Sequence, residues 1–180
     1  MSIKPYKQSL THSCLVACFL MLLERQADIV FTETNEQEIA LKGSRRIYPF
    51  YVVGIPMEIA KKYGKKIQVY VDNKYFTKVL KVAFAKEKSI EVVHTPIKIK
   101  LIRDLLQKSP LICHIDDNVL GDYSHSSHFI ILENATKNTI SIIDPWMGTR
   151  KRISDKTLIQ GIHDLKTQVK MCPLLFSIDL

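Results

Sequence analysis

Cys14 opens an apolar run, Cys14–Leu23, that follows the more polar segment Gln8–Ser13. If the run is a helix, Cys14 lies at its N-terminus. There, unpaired backbone N–H groups and the helix dipole favour negative charge, and so a thiolate nucleophile. Cys18 comes one turn later, inside the run, and reads as core. Free cysteines are often simply buried, so Cys14 needs partners before it means chemistry. A thiolate needs a base, and the base needs a group to orient it. His128 begins the strand-like stretch His-Phe-Ile-Ile-Leu, and Asp144 ends the next one, Ile140-Ser-Ile-Ile-Asp. The link Ala135–Asn138 between them has hairpin size. A hairpin centred on residues 136–137 sets Asp144 opposite His128, within carboxylate–imidazole reach. Gln8, in the loop entering the helix, can offer a side-chain amide to a developing oxyanion, and Cys14 its own backbone N–H.

Other constellations are weaker. His125 and His128, with Asp122 nearby, suggest a metal site, but residues three apart on a strand or loop point to opposite faces, and no helical His-Glu-x-x-His pattern exists. His125 reads as a substrate-lip or solvated loop residue. Cys113 and His114 fall on a strand, where alternation predicts one inside and one outside. His12 replaces His128 only if its loop folds back. Trp146, after Asp144 and Pro145, either shields the His–Asp pair from water or packs. No Walker motif or G-x-G-x-x-G is present, so nucleotide binding has no support, and no cofactor is implied.

The elements that must position these residues follow from periodicity. Residues 14–26 read as one apolar helix, with Thr11 and Ser13 as N-cap oxygens. Asn35 caps a short helix through Lys42, and Gly43–Val53 reads as loop and extended chain. Pro56 suits a first helical position, with Met57–Tyr63 following and Gly64 as the stop. Lys66–Asp72 alternates as a strand, Lys74–Lys88 has helical spacing, Ile90–His94 is a short strand, and Ile99–Gln107 is a helix stopped by Pro110. Then the period changes. Leu111–Ile115, His128–Asn134 and Thr139–Asp144 read as strands, Ser154–Leu165 as a short helix, and Thr167–Ile178 as strand-like pieces around Pro173. Helices come first and an antiparallel sheet second, which predicts an α+β fold with the first helix as its central element.

Composition bounds the reading. The 180 residues are 46% hydrophobic and 24% charged, which excludes disorder, collagen and a coiled coil and fits one domain over residues 1–180. No stretch reaches the roughly 20 apolar residues of a spanning helix. A signal peptide is disfavoured by Glu24 and Arg25 and by the lack of a small-x-small cleavage site. The chain is therefore expected to be cytoplasmic, or secreted without a recognisable signal. Four cysteines without a C-x-x-C pair favour a reducing compartment over a disulfide or zinc scaffold. Net charge is +8, and residues 42–108 carry sixteen Lys/Arg against five Asp/Glu. The lysines lie singly or in pairs, as on solvated helix faces, and aromatic residues are not spaced as stacking platforms, which argues against nucleic acid.

Gln8-x5-Cys14-x-x-Ala17-Cys18, His128-Phe129-Ile130-Ile131-Leu132 and Asp144-Pro145-x-x-Gly148 together resemble the bacteriocin-processing, double-glycine cysteine peptidases of the papain-like superfamily. The resemblance implies Cys14 as nucleophile, His128 as general base and acid, Asp144 as the group holding the imidazole, and Gln8 in the oxyanion hole. It implies a thiol hydrolase acting on a peptide or protein substrate, on a papain-like fold whose Cys begins the central helix. The chain departs from the family at two positions: Ser13 stands where relatives carry Asp or Asn, and Leu15 where they carry Gly. Leu15 is expected to reshape the cleft that accepts Gly-Gly. The chain reads as a stand-alone form, so leader processing is not assumed. The loop Asp116–Ser127, acidic at Asp116, Asp117 and Asp122, is expected to form one wall and to favour a basic substrate group. The same residues serve a deamidase, a transglutaminase-like acyltransferase (as in bacterial effectors) or a catalytically silent peptide-binding module. Substrate and oligomeric state are not encoded in these patterns.

Overall fold

Ten consecutive apolar residues can be kept from water only in the middle of the molecule, and that is where helix α1 (Cys14–Glu24) lies, with every residue from Cys14 to Leu23 buried. The computed structural model describes residues 2–25, 29–46, 51–121 and 124–179. Around α1 fold α2 (Glu33–Arg46), α3 (Tyr51–Tyr63), β1 (Ile67–Val71), α4 (Lys74–Ala83), β2 (Ile90–His94), α5 (Ile99–Leu106), β3 (Leu111–Asp116), β4 (Ser127–Ala135), β5 (Thr139–Asp144), β6 (Thr149–Ser154), α6 (Asp155–Thr167) and β7 (Leu174–Ile178).

The strands form one seven-stranded sheet in the order β2-β1-β7-β3-β4-β5-β6. It is antiparallel except where β1 and β2, joined through α4, run parallel. That pair is the one departure from the antiparallel expectation: a helix between two strands crosses over and returns the chain in the same direction. One face of the sheet packs on α1 through Phe129, Ile131, Ile143 and Phe176, and the other on α5 and α6 through Ile130, Leu132, Ile142 and Leu175. The sheet is thus covered on both faces, and the α+β reading holds.

Two local expectations fail. Residues 43–46 and 51–53 are helical, not loop or extended chain, and residues 47–50 lie outside the described set. Gly43 does not end a helix; it meets Gly54 of α3, where a Cβ would sit 1.9 Å from the Gly43 carbonyl oxygen. The two glycines let the α2 and α3 backbones touch. Pro56 consequently falls inside α3 rather than at its start. Strand β6, Thr-Arg-Lys-Arg-Ile-Ser, was not anticipated. Only Ile153 of its six residues is both apolar and buried, so it carries too little alternation to announce itself.

Candidate active site

The strands β4 and β5 form the predicted hairpin, with a different register. Ile131 pairs with Ile143 and Leu132 with Ile142; Glu133 is then an extra residue, a bulge, before Asn134 pairs with Ser141. Continued outward, this register sets Asp144 opposite Ile130, two residues from the expected His128. Side chains alternate with period two, so a shift of two keeps Asp144 and His128 on one face as diagonal neighbours. They meet there: His128 Nε2 and Asp144 Oδ1 are 2.9 Å apart. Both are buried, His128 at 5% and Asp144 at 1% exposure.

The Asp144 carboxylate is held on several sides. Its Oδ1 also accepts the Trp146 backbone N–H at 3.0 Å, and Lys151 Nζ lies 3.6 Å from Oδ2. Burial works against its charge, but the His128 hydrogen bond, the Trp146 N–H and Lys151 hold its pKa below the ordinary carboxylate value. Burial likewise pushes the His128 imidazole down, but the Asp144 hydrogen bond and the Cys14 side chain outweigh it and lift His128 to about 9. Cys14 Sγ therefore lies beside the ring. Since Nε2 is engaged with Asp144, Nδ1 is the nitrogen left for the sulfur. The structure brings Cys14, His128 and Asp144 together.

Gln8 reaches the same neighbourhood in another state. Its backbone N–H donates to the Pro145 carbonyl at 2.8 Å, tying the segment before α1 to the turn after β5. Gly148 permits that approach: at φ +65°, its Cβ would stand 2.7 Å from the Lys7 nitrogen. This gives the Asp-Pro-x-x-Gly spacing a physical reason. The Gln8 amide, however, spends its donors on the Leu10 and Thr11 carbonyls, at 2.7 and 3.1 Å. Its Oε1 is buried with no hydrogen-bond partner among the described residues.

Ser13 occupies the N-cap position of α1 but makes no capping bond. Its hydroxyl turns to the Leu10 carbonyl and to Glu36, a fully buried carboxylate on α2 that also accepts the Ser9 N–H at 3.0 Å. The orphan N–H of Leu15 is taken instead by the Tyr51 hydroxyl, at 3.1 Å. The phenol also lies beside the Cys14 sulfur. Neither Glu36 nor Tyr51 was found in the sequence. Glu36 is one of several acidic residues on α2, and Tyr51 stood in a stretch read as extended chain.

The remaining candidates separate. His114 is buried rather than half outside, because both faces of β3 are covered. Its ring stacks on Phe129, Nδ1 lies 3.3 Å from the Cys172 carbonyl, and Nε2 lies 2.7 Å from Ser127 Oγ. Burial drives its pKa down to about 3. His125 is 46% exposed at the side chain and pairs through Nδ1 with Asp116 at 2.5 Å. Asp116 ends β3, fully buried, and accepts the Asn118 and Ser126 N–H groups, so it presents no charge to a substrate. Asp122 lies outside the described residues. Trp146 is 40% exposed, with its backbone N–H held by Asp144. Among the described residues, no three His, Cys, Asp or Glu gather to hold a metal ion. No helix among them is long and apolar enough to cross a membrane.

A cavity of about 830 Å3 lies next to the site, walled by Tyr51, Phe129, His114, Phe76, Cys172 and Leu174 among others. Cys14, at 8% exposure, does not line it, whereas Tyr51, which lies beside the Cys14 sulfur, does.

No family model matches the chain, and no curated protein matches it in sequence. Among solved structures, the fold is similar to the peptidase domain of Streptococcus ComA, described as a bi-functional ABC transporter involved in a quorum-sensing pathway. The TM-score is 0.58 and the identity 14%, over 98% of this chain and 98% of that one. The chain thus has the fold of that peptidase domain, a papain-like α+β fold.

Proposed function

We propose that the chain is a thiol hydrolase acting on a peptide or other amide bond, in a single papain-like domain, with Cys14 as nucleophile. The observation that carries this is the buried His128–Asp144 pair at 2.9 Å with the Cys14 sulfur beside it at the head of α1. A histidine whose pKa lies near 9 is protonated at neutral pH. It therefore stands as an imidazolium between the sulfur and Asp144, ready to give a proton to a leaving amine. Cys14 attacks the carbonyl, the Cys14 N–H meets the oxyanion, His128 protonates the departing nitrogen, and water clears the acyl-enzyme. Gln8 joins as an oxyanion donor once one of its two bonds to Leu10 and Thr11 opens. The resemblance to the ComA peptidase domain supports this reading at the level of fold. An amine in place of water would make the same acyl-enzyme a transferase, and a glutamine side chain as substrate would make it a deamidase.

Competition among the thiols tests the proposal. Burial raises the pKa of Cys18, Cys113 and Cys172, which disfavours their thiolates. Iodoacetamide near neutral pH is expected to label Cys14 first, as read by peptide mass spectrometry, and His128→Ala to remove that preference. Equal labelling of the four thiols would overturn the enzyme and leave a peptide-binding module on the same fold.

A further inference from the structure

The reading of Cys14 as nucleophile leaves one chemical need unmet. A tetrahedral intermediate on sulfur requires donors already aimed at its oxygen. The Cys14 N–H is one. The side-chain donor expected from the resemblance, the Gln8 amide, has its N–H groups committed to two backbone carbonyls. The hydroxyl of Tyr51 is better placed. It sits at the head of α1, fixed by accepting the Leu15 N–H at 3.1 Å, and it lies beside the Cys14 sulfur. The oxygen of a carbonyl carbon bonded to sulfur is only two bonds from that sulfur, so a donor beside the sulfur is within its reach. Accepting the Leu15 N–H also polarises the phenol and makes its own O–H a stronger donor. Burial, with the nearby Cys14, raises the Tyr51 pKa well above the ordinary phenol value, so the donor keeps its proton. The same ring walls the 830 Å3 cavity together with Phe129, the neighbour of His128.

We propose that Tyr51 is a catalytic residue whose hydroxyl, held at the head of α1 by the Leu15 N–H, donates to the oxyanion that forms on Cys14. The proposal rests on the hydrolase reading and adds a residue to it. As the bond from Cys14 Sγ to the carbonyl carbon forms, the carbonyl π pair moves onto oxygen, and His128 holds the proton that left the thiol. Tyr51 gives a hydrogen bond and transfers no proton. On collapse the pair returns, the carbonyl re-forms, and the leaving group departs with the proton from His128. Tyr51 thereby does at residue 51 what an amide at residue 8 was expected to do.

Two reagents for one thiol separate this role from any other. Para-nitrophenyl acetate acylates Cys14 through an oxyanion, whereas iodoacetamide alkylates it without one. In the full-length chain, Tyr51→Phe is expected to slow nitrophenolate release on the order of 100-fold while alkylation changes no more than about threefold. Gln8→Ala is expected to cost less than Tyr51→Phe. Equal acylation by the Tyr51→Phe and unsubstituted chains would overturn the proposal, as would acylation and alkylation falling together, which would mark Tyr51 as a packing residue. Fluorotyrosine at position 51 keeps ring, hydroxyl and fold. It is expected to move the alkaline limb of acylation, and not that of alkylation, to lower pH, because an ionised phenol cannot donate; an unmoved limb overturns the proposal. Absence of any acylation by the unsubstituted chain, with Cys14 still alkylated, would overturn the hydrolase reading itself.

Discussion

His114 and His128 are buried on adjacent strands, one register step apart, since His114 pairs with Phe129 and Ile115 with His128. Their chemistry diverges completely. His114 faces a hydroxyl, a carbonyl and an aromatic ring, and burial leaves it neutral with a pKa near 3. His128 is also opposed by burial, yet Asp144 and Cys14 lift it to about 9. Burial alone therefore makes an imidazole inert here, and a carboxylate at 2.9 Å makes it an acid. The two act on stability in opposite directions. The raised pKa of His128 contributes stability that is complete below its unfolded value of 6.5 and lost as pH rises through about 9. The depressed pKa of His114 costs stability as pH falls from 6.5 toward 3, because the unfolded chain takes up a proton that the folded chain refuses.

The contrast can be broken at its stronger end. In Asp144→Asn, the His128 titration followed by NMR is expected to fall from about 9 to below the ordinary 6.5, and acylation of Cys14 to drop on the order of 1,000-fold. A midpoint still near 9 would show that Cys14 alone sustains the charge. The weaker end can be turned into the stronger one. Ser127→Asp sets a carboxylate beside His114, and the imidazole titration is expected to rise from about 3 to about 5 or above. A ring silent down to pH 4 would mean that burial overrides a carboxylate in this place. The smallest effect belongs to the support behind Asp144. Gly148→Ala forces φ +65° on a residue with a Cβ and presses it against Lys7. Denaturant unfolding is expected to show a loss of about 1–3 kcal/mol, with the His128 titration nearly unchanged.

Local pattern carried the parts of this molecule that local physics determines. The apolar run after Cys14, the alternation of β1, the short apolar stretches of β4 and β5 and the turn between the last two are properties of short segments, and each was readable. The meeting of His128 with Asp144 needs only one hairpin and was readable too, whereas Cys14 reaches them through the packing of α1 on the sheet. What failed depends on residues far apart. The parallel pairing of β1 with β2, the contact of Gly43 with Gly54 and the covering of β3 on both faces are settled by packing, which period counting does not see. The centre of the turn and the Glu133 bulge together moved the register by two without moving the face, so the pair was reached through a different alignment. Tyr51 serves Leu15 across 36 positions of sequence, with no motif between them. The segment that carries it begins α3, and it was misread because Gly43 and Pro56 look like loop residues.

The Glu133 bulge imposes a parity on the hairpin. Pulled straight, with the Asn134–Ser141 and Ala135–Ile140 register continued past Glu133, β4 would set Asp144 opposite Ile131, toward the other side of the sheet from His128, and strand a carboxylate in hydrocarbon. Deleting Glu133 joins the Leu132–Ile142 and Asn134–Ser141 pairs into one ladder and keeps the face that Asp144 shares with His128, whereas ironing the bulge out at constant length should silence the site even if its secondary structure is intact.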